Sequence, residues 1–232
     1  MNLNEMLSDS LFFGFALSLL SYWVGMVIQN KWKHPLCNPL LISTILCIGF
    51  LCLTDVTYET FNVGGKYLNY FITPATVCLA VPLYRQLQVL KENLAAVLLG
   101  VLSGALSCVF VIIGLAYLTN LEEVLTLSLL SKSVTTAIAI GITDEIGGMS
   151  SITVSAVIMS GILGNVMAQS LFKLFRIHNP VAQGLACGTA SHGGGTAKAQ
   201  ELGDVQGAMS GLAMVIAGLA TVVIVPIAAM LV

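Results

Sequence analysis

The chain has 232 residues, 57% of them hydrophobic and only 9% charged. Soluble domains carry roughly 25% charged residues, and nine Lys and Arg with eleven Asp and Glu are too few to cover a globule of 24.4 kDa. Composition therefore excludes a soluble protein and points to a polytopic membrane protein solvated by lipid. A formal net charge of -2 and a pI near 5.8 leave no electrostatic footprint for nucleic acid.

The first ten residues carry Glu5 and Asp9 and no Lys or Arg, so they lack the basic start of a signal peptide. The first apolar segment is expected to stay in the mature protein. A spanning helix needs about 20 mostly apolar residues. Leu11–Gln29, Leu36–Thr54, Tyr67–Tyr84, Asn93–Leu118, Ser150–Phe172 and Gly207–Val232 meet that need without a charged residue. Pro74 and Pro82 interrupt the third of these, around Thr73-Pro74-Ala75-Thr76, and free backbone carbonyls in mid-span. Thr76 either touches substrate or repairs the helix. Gly100-x-x-x-Gly104 and Gly207-x-x-x-Gly211 read as small surfaces for close helix packing.

Two stretches do not read as plain spans. Val124–Gly148 is interrupted by Lys132, and Val181–Gln206 carries His192, three successive glycines and Lys198. A shift of sixty residues superposes them: eight of the twenty positions from Ser131 to Ser150 are identical, and Lys132 falls on His192. The distribution of Lys and Arg favours a re-entrant hairpin for each stretch. With the N-terminus outside, Lys31, Lys33, Arg85, Lys91, Lys173 and Arg176 lie in the cytoplasm, Lys66 lies outside, and Lys132 and Lys198 lie within the hairpins. Val124–Phe172 and Val181–Val232 are then two units of an inverted repeat, as in many secondary transporters. Residues 11–118 form a scaffold within a single membrane domain, and the fold class is an all-α polytopic membrane protein with about six spans and two re-entrant hairpins.

The tips of the hairpins carry the chemistry. A half-helix starting near Ser133 would aim its free N–H groups and positive dipole end into the protein. Ser133, Thr135 and Thr136 add hydroxyls and Lys132 a full charge, which together favour a small anion such as a carboxylate. The bland alternative is a Lys132 that snorkels to the interface and a Ser133 that caps a helix. At the second tip Ser191, His192, Gly193, Gly194, Gly195 and Thr196 let the backbone approach a ligand closely. Lys198 is a possible support. His192 either donates to the substrate and carries a co-transported proton, or bonds a neighbouring carbonyl and closes a helix gap.

Catalysis is not expected. His192-Gly193-Gly194-Gly195 matches an oxyanion string of lipases, but the chain has no G-x-S-x-G elbow and no Walker ending. The six cysteines form no C-x-x-C pair and lie in apolar stretches, so neither a metal nor a cofactor is expected.

The chain resembles the LrgB/CidB family of bacterial membrane proteins, to which a domain of the plastid glycolate/glycerate translocator is related. The marks are Asn38-Pro39-Leu40-Leu41, Pro74-Ala75-Thr76-Val77 with Ala80-Val81-Pro82-Leu83-Tyr84, Lys132-Ser133-Val134-Thr135-Thr136, Thr189-Ala190-Ser191-His192-Gly193, Glu201 and Gly207-Ala208. Ser131 and Ala137 stand where relatives usually have proline, Lys198 replaces an Arg, and Gly194 a larger residue. The resemblance implies a multi-pass protein of the bacterial cytoplasmic membrane, and a homodimer. It implies transport of small monocarboxylates such as glycolate, glycerate, lactate or pyruvate. The alternative it carries is an antiholin- or holin-like regulator of murein hydrolase activity and lysis that acts with a small LrgA-like partner.

Overall fold

The computed structural model describes residues 7, 10–32, 37, 39–71, 74, 77–78, 84–85 and 87–232. Among them the regular structure is helical, with no strand. The chain divides into two compact units, Met1–Cys78 and Leu79–Val232.

The first unit holds α1 (Phe13–Trp32), α2 (Pro39–Thr54), α3 (Tyr58–Gly65) and a 3-10 turn (Lys66–Phe71). The buried residues of α1 are Gly14, Ser21 and Gly25, while Leu19, Leu20 and Trp23 face outward. Small residues let backbones meet: a Cβ on Gly25 would lie 2.7 Å from the Pro39 carbonyl oxygen. This inversion, with small residues inside and large apolar ones outside, is that of a helix solvated by lipid. The third expected span differs. Tyr67–Phe71 is 3-10 rather than α-helical, and most of the remainder up to Tyr84 lies outside the described residues. The α3 helix was not expected; Thr57 caps it through an Oγ1 that accepts from Thr60 N at 3.4 Å.

The second unit holds α4 (Leu87–Glu92), α5 (Leu94–Thr119), α6 (Glu123–Leu130), α7 (Thr136–Ile146), α8 (Ser150–Leu174), α9 (Pro180–Leu202) and α10 (Asp204–Ala229). By length and composition α1, α5, α8 and α10 can each cross a membrane. Of these, α5 and α8 each bury one stripe at helical spacing, such as Val97, Val101, Ala105, Val109, Ile112 and Ala116 of α5, whereas α10 also buries the successive residues Gly207, Ala208, Met209 and Ser210 at its start. One apolar cluster joins α5, α9 and α10 through Val97, Val101, Leu185, Met209 and Ala213. A second joins α5, α6, α7 and α10 through Val109, Leu127, Leu130, Ile142 and Val225.

Between α6 and α7 the chain reverses. Met149 N donates to Ser128 Oγ at 2.7 Å, and Ser131 Oγ lies 2.9 Å from Thr143 Oγ1. In one straight helix Ser128 and Met149 would be about 30 Å apart. A second reversal breaks α9 at Ser191 and His192, whose backbones are not helical. Past it, Gly195 lies so close to the Cys187 carbonyl that a Cβ there would overlap it, whereas eight residues of straight helix separate ends by about 12 Å. The arms run 123–130, 136–146, 180–190 and 193–202. At about 1.5 Å per residue each reaches roughly half the apolar thickness of a bilayer.

The sixty-residue repeat holds at the reversals and slips beyond them. Ser131 and Ser191 both sit at a break. Asp144, however, lies inside α7 whereas Asp204 opens α10. Gly147 is a left-handed cap with φ 82°, and Gly207 is buried inside a helix. Met149 and Ser150 start α8, but Met209 and Ser210 lie within α10. The first reversal uses the longer loop, 131–135, and a 147–149 junction; the second uses two residues and Gly203 alone. Half of the matched positions are therefore not spatially equivalent.

Candidate functional site

The first tip is the loop between α6 and α7. Helix α7 begins at Thr136 with Thr135 as its cap, three residues later than Ser133, so Ser133 is not a capping residue. Its hydroxyl instead lies 3.1 Å from Cys108 Sγ of α5 and accepts from Lys132 Nζ at 3.4 Å. Lys132 is half-buried. Among the described residues the one ion pair is Lys198–Glu201, at 2.8 Å, and no carboxylate lies within 4.0 Å of the Lys132 ammonium. Thr135 and Thr136 are half-buried beside the tip.

The second tip is the break in α9. His192 adopts φ 38° and ψ -125°, a region costing a non-glycine residue on the order of 1–3 kcal/mol. Its ring is fixed by α8: Nε2 lies 3.1 Å from the Val157 carbonyl oxygen. A carbonyl only accepts, so Nε2 carries the hydrogen. Thr196 Oγ1 donates to the His192 carbonyl at 2.8 Å and lies 2.9 Å from Ser210 Oγ. Asn165 Nδ2 donates to Gly194 O at 2.9 Å. Gly194 meets α8 so tightly that a Cβ would lie 2.5 Å from the Gly161 carbonyl oxygen. Gly193 faces open space.

Ser160 of α8 ties the tips together. Its hydroxyl lies 2.9 Å from both the Lys132 and the Val157 carbonyl oxygens and 3.5 Å from His192 Nε2. With one hydrogen it can donate to only one of these at a time.

Two cavities flank this junction. The larger, about 870 Å³, is lined by Lys132 and Ser133, by Gly100, Ser103, Gly104, Ser107 and Cys108 of α5, and by Leu185, Ala186, Thr189 and Ala190 of α9. The smaller, about 540 Å³, is lined chiefly by apolar residues such as Met159, Leu163, Met167, Leu171 and Phe172, with Lys132, Ser160 and Ser191 as its polar lining. Lys132, Ala186 and Ala190 belong to both walls. The structure thus brings Lys132, Ser133 and Ser191 to cavity walls. It does not bring His192, Thr135, Thr136, Thr196 or Lys198 to either. Of the two roles expected of His192, the bond to a neighbouring carbonyl is the one seen, to Val157 across the helix break. Gly194 and Gly195 serve close packing, against Gly161 and Cys187. Lys198 is engaged by Glu201. Pro74 is exposed in the first unit, and Thr76 lies outside the described residues.

Sequence reading missed Ser103, Ser107, Cys108, Ser160 and Thr189. The signal on α5 was present: Gly100, Ser103, Gly104, Ser107, Cys108 and Val111 recur every three or four residues, one face of a helix whose mean hydropathy is 2.6. The glycines of that face border a cavity rather than a helix contact alone. Among the described residues no three His, Cys, Asp or Glu side chains gather as a metal site requires.

Compared with known proteins, the chain matches the model of the LrgB-like family over residues 18–231. No solved structure matches it.

Proposed function

We propose that this chain, which belongs to the LrgB-like family, is a secondary transporter of small monocarboxylates in the bacterial cytoplasmic membrane. The observation that carries the reading is the Lys132 ammonium. It lies in an apolar bundle without a carboxylate partner among the described residues, and it borders two cavities. An uncompensated charge in a poorly solvated wall is costly, and an anion relieves that cost. Ser133 adds a hydroxyl beside it, on the wall of the larger cavity. A single cation on the cavity walls complements a monoanion.

The half-length arms fit two re-entrant hairpins of an inverted repeat, their tips meeting near mid-membrane at Ser160. Lys132 lines both cavities, as a residue that holds substrate in a transporter would. Family membership is equally compatible with an antiholin-like regulator acting with a small LrgA-like partner; the unpaired ammonium is what favours transport. The test is exchange in sealed vesicles holding the purified protein. Saturable exchange of labelled lactate for unlabelled monocarboxylates, without leakage of sucrose, is expected. Leakage of unrelated solutes, or no exchange with any small acid, would overturn the proposal.

A further inference from the structure

The smaller cavity is a groove along one face of α8, with large apolar side chains standing open on it. Met159, Leu163 and Met167 are 61%, 52% and 45% exposed. Between them and the first arm of α9 the lining is small, with Gly164, Ala168, Ala186 and Ala190. Gly164 meets α9 so closely that a Cβ there would overlap the Ser191 hydroxyl. From Ser160 to Phe172, both in the lining, α8 advances twelve residues, about 18 Å. One leaflet's share of a hydrocarbon core is about 15 Å. The groove is therefore as long as one acyl chain is deep. Such a chain would stop near Ser160, because Lys132, Ser160 and Ser191 make the lining polar where α8 meets the tips.

Charge decides which lipid. Lys173 follows Phe172 directly and Arg176 comes one turn on, and both are exposed. Among the described residues neither has a carboxylate within 4.0 Å, and Glu201 is held by Lys198. Two free cations at the end of a membrane helix attract an anionic headgroup. We infer that the groove between α8 and the first arm of α9 is a binding site for an anionic phospholipid. Its headgroup sits on Lys173 and Arg176, and one acyl chain lies along α8 toward Ser160. The assignment stands apart from the transport reading, since it draws on the other end of α8.

Lipids brominated in mid-chain test this, because they quench an indole that they touch. The full chain, with Trp23 and Trp32 replaced by Phe and with Met167→Trp as reporter, is placed in vesicles of phosphatidylcholine and phosphatidylglycerol. Either one lipid or the other carries the bromines. Quenching should show phosphatidylglycerol favoured about fivefold, the worth of one cation near an anionic surface. Leu219→Trp, at a side chain of α10 that is 69% exposed, should show no preference. Lys173→Gln combined with Arg176→Gln should bring the ratio at Met167→Trp to one, while Lys173→Arg retains it. Should Met167→Trp fail to insert, Leu163→Trp provides the same comparison. No preference at the groove, a preference equal to that at Leu219→Trp, or one that survives loss of both cations would overturn the assignment. A groove reporter that neither brominated lipid quenches would overturn it as well, and would assign the cover to a second copy of the chain.

Discussion

Replacing Lys132 with alanine removes the ammonium and leaves the backbone of the tip in place. Its carbonyl still accepts from Ser160, and the helices on either side are unchanged. Because the side chain faces two cavities rather than a packed core, truncation enlarges existing space and should cost little stability. The loss falls on ligand affinity. A hydrogen bond to a charged group is worth roughly 1.5–3 kcal/mol, so binding of a monocarboxylate should weaken about ten- to a hundredfold. Cys108 supplies a readout independent of transport, because it lines the larger cavity and lies 3.1 Å from Ser133 Oγ. With the other five cysteines replaced, a maleimide should label Cys108, and glycolate should slow that labelling in the parent. In Lys132→Ala the concentration giving half-protection should rise by the factor above, and Lys132→Met should behave as alanine does. Protection within twofold of the parent in both variants, at equal expression and equal melting temperature, would refute the placement of the anion at Lys132.

Three further outcomes are expected. Gly194→Ala should destabilise the protein by about 1–3 kcal/mol through overpacking against the Gly161 carbonyl, whereas Gly193→Ala should melt like the parent; equal melting curves for the pair would contradict the close approach. His192→Gln keeps an N–H that can reach the Val157 carbonyl, so exchange should retain its pH profile; a flattened profile would return His192 to the role of proton carrier. Single cysteines at Gln183 and Glu201 should react from one face of the membrane and those at Leu121 and Gly148 from the other, and opposite faces across either pair would exclude re-entrant hairpins.

What residue order alone made legible was governed by local chemistry. The excess of apolar residues set the solvent as lipid, and uncharged runs of sufficient length placed α1, α5, α8 and α10 to within a few residues. Lys132 and the glycines after His192 marked the breaks, because a charge and a run of glycines are both poor material for a plain spanning helix. The Lys-Ser-Val-Thr-Thr and Thr-Ala-Ser-His-Gly strings identified the family.

Tertiary structure decided which of the polar residues near those breaks face empty space. His192 and Lys132 align in sequence, yet one ring is tied to a carbonyl of α8 and the other side chain borders two cavities. That difference depends on how α8 passes the tips, with Val157, Ser160 and Gly161 on the contacting face. The serines of α5 were equally beyond a local reading. A small polar stripe is chemically the same whether another helix fills it or not, and only the position of α9 leaves Ser103, Ser107 and Thr189 around a cavity. Periodicity states which side of a helix is special; the partner that arrives there, or fails to, is set by contacts between residues far apart in the chain.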